Sequence, residues 1–218
     1  MHRRPGNEGV VGRIVIEKAT NLVDAGLITG PGQLSTTNVL DNLSRTQALL
    51  IYQTLGFHAT DIRLRSLAHR HIPILESWVA VLMQQTSSII LTYSPPCPSD
   101  FSSSSNILWY SWILSESVRR MWLVVGGLQG LYKLFTNAGV DAGKCMGGTV
   151  FTSRAGFWEA SSASMWEKRC AERYAGLVRL TETDKMLELV PKGEISEFAK
   201  VVLRCTFGRG WCEEMLGE

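Results

Sequence analysis

The stretch SWILSESVRRMWLVVGGLQGLYKLF, residues 111–135, decides the fold, because it reads as a membrane segment, a cofactor box or the centre of a soluble core. Tyr110, Leu114, Val118, Met121, Val125, Leu128 and Tyr132 recur at steps of three and four, the spacing of one helix face. Glu116, Arg119 and Arg120 fall on the other side, so the first half is amphipathic. The uncharged run from Met121 to Tyr132 is 12 residues long, whereas a spanning helix needs roughly 20. The segment therefore predicts a buried core helix, with Gly126, Gly127 and Gly130 admitting a close neighbour and Trp109, Trp112 and Trp122 supplying area.

The longer uncharged stretch, residues 77–99, carries Gln84, Gln85, Thr86, Ser87 and Ser88 at its centre and Pro95, Pro96 and Pro98 at its end. Five consecutive polar side chains are costly in hydrocarbon, so a soluble helix is expected there as well. With 218 residues, 45% of them hydrophobic, the chain can bury a sizeable core. A formal net charge of +2 gives no basic face of the kind that nucleic acid requires. The start, MHRRPGNEGVVG, lacks an apolar core for a secretory signal, and the sequon Asn42-Leu43-Ser44 is accordingly not expected to be glycosylated.

Outward from the central helix, residues 1–36 read as a poorly packed N-terminal segment with a short strand at GRIVIEKA. Residues 37–218 read as one helical domain. A first helix, with Asp41 as candidate N-cap and Gly56 as stop, presents Leu40, Leu43, Gln47, Leu50 and Ile51. A second runs from an Asp61 cap through IRLRSLAHRHIPILESWVAVLMQQ, with Pro73 ending a turn or kinking it. The Pro/Ser-rich residues 92–106 form a loop. After the central helix come a short extended piece at TVFT, a helix capped by Ser161 or Ser162, and a final helix lined by Ile195, Phe198, Val202 and Cys205 and stopped at Gly208. The fold class is mainly α: a compact multi-helix domain with one Pro/Ser-rich loop.

Chemistry is thinly signalled. GVDAGKC, residues 139–145, resembles a phosphate loop but has three residues between its glycines instead of four, and Cys145 where Ser or Thr is required. His69 and His71 lie two apart, which on a helix puts them on different faces. His58 beside Asp61 is explained by a turn and a helix cap. The five cysteines (Cys97, Cys145, Cys170, Cys205, Cys212) form no CxxC pair, which suits a reducing compartment and no structural zinc. Glu116 reaches Arg119 and Arg120 at i+3 and i+4; a solvated ion pair is the first expectation, and a pair buried among the tryptophans, acting on orientation or switching more than on stability, is the alternative. No catalytic, cofactor-binding or metal-ligating residue is assigned, no cofactor is expected, and the chain is not read as an enzyme.

The segments LSRTQALLIYQTLGF, DIRLRSLAHRHIPILESW, WYSWILSESVRRMWLVVGGLQGLY, GGTVFTSRAGFWEASSASMWEKRCAERY and EISEFAKVVLRCTFG occur in an order that resembles fungal zinc binuclear-cluster transcription factors. The similarity covers about residues 38–210 and rests on the Glu-Ser-Val-Arg-Arg run with flanking tryptophans and the Gly-Gly, Phe-Thr, Arg-Ala-Gly and Trp-Glu-Ala series after it. It implies the helical regulatory region that follows the DNA-binding cluster. That cluster has six cysteines, and this chain has none before Cys97, so no zinc or DNA contact is carried over. The resemblance implies a nuclear regulator, with the cytoplasm as the other location, that controls a specialised, secondary-metabolite pathway through protein partners: a homologous transcription factor, or itself. A small-molecule effector is compatible with it. The alternative is a stand-alone helical binding module, which captures a small apolar ligand or titrates a full-length regulator.

Overall fold

The computed structural model describes residues 8–27, 36–92, 101–136 and 148–217. The chain divides into two compact units, Met1–Gln85 and Thr86–Glu218.

In the first unit, α1 (Glu8–Ala25) takes the place of the strand expected at GRIVIEKA. Gly12, Val15 and Ala19 are buried at steps of three and four, so the period of the segment is helical although its residues are β-branched. Among the described residues of the N-terminal stretch, α1 lies against α2 (Thr36–Phe57) and α3 (Ile62–Arg70).

The α2 helix begins before Asp41, which is exposed in its interior and caps nothing. Its buried face is Val39, Leu43, Thr46, Leu49 and Gln53, one residue round from the expected stripe, which leaves Leu40 at 50% and Ile51 at 58% exposure. The face is half polar, and each polar group is matched. Asn42 Nδ2 donates to Gln85 Oε1 (3.1 Å), Thr46 Oγ1 to the Asn42 carbonyl (2.7 Å) and Gln53 Nε2 to the Ala68 carbonyl of α3 (3.1 Å). Gly56 lets α2 and α3 meet: a Cβ there would lie 2.6 Å from the Ala68 Cβ and 2.9 Å from the Leu64 carbonyl oxygen.

The predicted second helix is two. Asp61 caps α3 as expected, accepting the Arg63 N–H at 2.9 Å. At His71 the chain turns into α4 (Ile72–Thr92), with Pro73 in its first turn, where a missing N–H costs nothing. The α4 helix buries Leu75, Trp78, Val79 and Leu82.

In the second unit, α5 (Phe101–Phe135) is the expected core helix, roughly 50 Å long at ~1.5 Å per residue. It takes in residues 101–106 of the loop expected at 92–106, of which Thr92 ends α4 and residues 93–100 lie outside the described residues. A serine run lacks apolar periodicity, but extending an existing helix through serine costs only about 0.5 kcal/mol per residue relative to alanine, far less than nucleating a new helix. Strands β1 (Val150–Thr152) and β2 (Leu177–Arg179) pair antiparallel, Phe151 opposite Val178. Helix α6 (Ala163–Glu172) starts at Ser162, whose side chain accepts the Met165 N–H.

A 3₁₀ turn (Leu180–Glu182), α7 (Thr183–Leu189), a second 3₁₀ turn (Lys192–Glu194), α8 (Glu197–Phe207) and α9 (Arg209–Leu216) complete the unit. Leu123 of α5, Phe151, Val178, Met186, Ala199 and Leu203 share its apolar core. Cys205, placed on the buried side of the last helix by the sequence reading, is exposed; Ala199, Val202 and Leu203 make that face. Among the described residues no helix is long and apolar enough to cross a membrane.

Candidate functional site: a buried carboxylate and its aromatic surround

The residues that carry the resemblance meet around Glu116. Its side chain is 0% exposed, so the expected solvated ion pair is instead a buried one. Glu116 Oε2 accepts from Arg119 Nε (3.1 Å) and Nη2 (2.9 Å), and Oε1 from Arg120 Nε (3.0 Å). The fourth donor comes from outside the helix: the Thr152 backbone N–H reaches Oε1 at 3.1 Å. Successive N–H groups of a strand point to opposite edges. Ser153 N–H donates towards the β2 side, to the Gly176 carbonyl (3.0 Å), and Thr152 N–H points away from it to Glu116. The carboxylate thereby satisfies the outward N–H of Thr152 and fastens β1 to α5.

The guanidinium carbon of Arg120 lies 4.1 Å from the Trp158 ring centre and 4.6 Å from that of Phe198, so two aromatic rings attract the cation that Glu116 orients. Trp158 is 6.3 Å from Trp112, and Trp112 is 5.6 Å from Trp166 of α6. Phe198 meets Phe151 edge to face at 6.1 Å. With all four bonds made and no exposure, Glu116 has no lone pair turned to solvent. It holds α5 and β1 together.

Arg154 fastens the next segment. Its Nη1 donates to the Tyr174 carbonyl (2.6 Å) and Nη2 to the Leu189 carbonyl at the end of α7 (3.0 Å). Its Nε lies 3.1 Å from Glu194 Oε2, an ion pair whose angle falls outside hydrogen-bond geometry, and Glu194 Oε1 also receives Arg173 Nη1 (2.8 Å). The backbone crosses here too, since Ala155 N–H donates to the Glu194 carbonyl and Ser196 N–H to that of Ser153. Gly176, at φ +67°, sits so close to Ser153 Oγ that a Cβ would come within 2.5 Å of it.

The other candidates stay apart. His71 is buried at the α3–α4 joint, and burial first, then the Arg70 charge, hold its imidazole below the ordinary range. His69 is exposed on α3. The Asp61 carboxylate takes Arg63, to which hydrogen bonds at 3.2 and 2.9 Å hold it below its usual pKa, while His58 Nδ1 lies 2.9 Å from the Thr54 carbonyl; the two form no acid–base pair. Burial and Glu167 push the Cys170 thiol up, away from reactivity. Residues 139–145, with Cys145, and Cys97 lie outside the described residues. Among those that are described, no three His, Cys, Asp or Glu side chains gather to hold a metal.

Sequence reasoning singled out Glu116 with its arginines but missed Thr152, Trp158 and Phe198 as their partners, because contacts 36 or more residues away leave no periodic trace. No family model matches the chain, and no solved structure does. It is 29% identical over 182 residues to the transcription factor gsfR2 of Penicillium aethiopicum, a match that takes in 82% of this chain and 42% of that protein. The chain thus spans less than half the length of the curated relative it matches, and over most of its own length it is similar to part of a fungal transcription factor.

Proposed function

We propose that this chain is the helical regulatory part of a transcription regulator, acting in the nucleus through protein contacts to control a specialised pathway. The similarity to gsfR2 across 82% of the chain carries this reading. The fastening of α5 to β1 through Glu116 supports it, since a satisfied, solvent-free cluster suits a scaffold that presents surfaces more than it suits a catalytic centre. The partner is a related regulator or a second copy of the chain, and no base-reading contact is assigned to it. Deleting the gene and profiling transcripts, with a fluorescent fusion followed in parallel, tests the reading. Nuclear accumulation and a coherent set of changed transcripts are expected; an unchanged profile together with exclusion from the nucleus overturns it.

One observation favours a ligand-binding module as the second reading. Trp166 Nε1 and Arg169 Nε, one turn apart beside the Trp112–Trp158–Trp166 cluster, are buried donors without hydrogen-bond partners among the described residues. An acceptor-bearing planar molecule would satisfy both. A thermal-shift screen of small aromatic acids tests this, with about 2.7 kcal/mol of stabilisation expected at a hundredfold excess over the dissociation constant. Absence of any shift at millimolar ligand removes it.

A further inference from the structure

The outer face of α3 carries arginines and a hydroxyl that the regulatory reading does not use. Arg63, Arg65, Ser66, His69 and Arg70 are all exposed, and the buried side of the helix is Leu67 and Ala68. No carboxylate lies on this outer face; the nearest in sequence is the cap, Asp61, which is taken up by Arg63. Ser66 sits in the middle. Residues three and four apart on a helix are neighbours, with Cβ atoms about 5–6 Å apart, so Arg63, His69 and Arg70 all border the Ser66 hydroxyl. Helical hydroxyls elsewhere in the chain turn back onto a carbonyl four residues earlier, as Ser44, Thr46 and Thr54 do in α2 and Ser115 and Ser117 in α5. Ser66 Oγ makes no such bond among the described residues and is free to carry a substituent.

We propose that Ser66 is a phosphorylation site, recognised through Arg63 three residues before it and held after modification by Arg63 and Arg70. In the reaction Ser66 Oγ attacks the γ-phosphorus of a nucleoside triphosphate, its proton passes to the kinase's base, and the nucleoside diphosphate leaves with the bonding pair. The product brings about −1.5 to −2 charges and three acceptor oxygens to a face where, beyond the Asp61–Arg63 pair, Arg65 and Arg70 supply two positive charges. Its order relative to Arg70, acid before base at i+4, is the favoured one. The modification nearly neutralises the face.

The test treats the purified full chain with a protein kinase that requires arginine three residues before its target and Mg-ATP, followed by intact mass and peptide mapping. One phosphate on Ser66, absent from Ser66→Ala, is expected. Phosphorus NMR then reads the second ionisation of the phosphoserine. Held by Arg63 and Arg70, it falls below its ordinary value near ~6 and returns towards it in Arg70→Gln, a position downstream of the recognition arginine. A phosphate added to a peptide of residues 58–71 but never to the folded chain overturns the proposal. So does a phosphoserine that ionises normally and ignores Arg70→Gln.

Discussion

Replacing Glu116 by alanine removes the acceptor for two guanidinium groups and one strand N–H at once. Arg119 and Arg120 are only 17% and 12% exposed, so neither recovers full hydration where it stands. Removing one partner of a buried charged group costs about 3–5 kcal/mol, and the abandoned Thr152 N–H adds desolvation of about 1 kcal/mol or more. Relaxation of the arginines towards solvent offsets part of this, so about 3–5 kcal/mol is expected overall. At ~2–4 °C per kcal/mol that lowers the melting temperature by roughly 6–20 °C.

Six of the seven tryptophans lie in the second unit, so fluorescence during urea unfolding of the full chain reports chiefly on it. Glu116→Gln retains an acceptor for Thr152 but turns an amide donor towards the arginines, and an intermediate loss is expected. A double-mutant cycle of Glu116→Gln with Arg120→Gln gives a coupling of about 1–3 kcal/mol. A loss below about 1 kcal/mol for Glu116→Ala, with no coupling, would refute the fastening role.

Gly176→Ala places a Cβ against Ser153 Oγ at φ +67°, and about 2–5 kcal/mol of destabilisation is expected in the same assay. Gly217→Ala, at φ +75° in open space, bears only the backbone cost of about 1–2 kcal/mol. Ser196 is buried and accepts the Ala199 N–H at 3.2 Å, so Ser196→Ala loses about 1–2 kcal/mol by calorimetry, and Ser196→Thr loses less. The depressed His71 means that the unfolded chain binds the proton more readily. Stability therefore holds above its unfolded pKa near 6.5 and declines as pH falls below it, and urea midpoints between pH 7.5 and 5 lose that part of their slope in His71→Gln.

Long apolar periodicity was the most legible part of the chain. Leu114, Val118, Met121 and Val125 are buried as their spacing requires, and the caps at Asp61 and Ser162 were visible as residue types in position. The α2 face was misplaced by one residue because hydropathy does not count Asn42, Thr46 and Gln53 as interior. Their burial depends on Gln85 and the Ala68 carbonyl, partners that no local window contains. The α1 helix was missed for the opposite reason: β-branched residues suggested a strand where packing selects a helix. At the candidate site the arginines on α5 could be read at i+3 and i+4. Whether Glu116 was solvated depended on a strand that arrives 36 residues later.

Arg154 bears on how the protein can be cut. Its planar fork joins carbonyls at Tyr174 and Leu189 to a carboxylate at Glu194, three points that alternative splicing or a nonsense change would separate from it. A product ending before Leu189 would keep the arginine and lose two of its three partners, stranding a buried cation among half-made contacts. The C-terminal segments should accordingly exchange their amide protons together with β1 as one cooperative block, and shortened versions should be cleared by proteolysis instead of persisting as smaller folded domains.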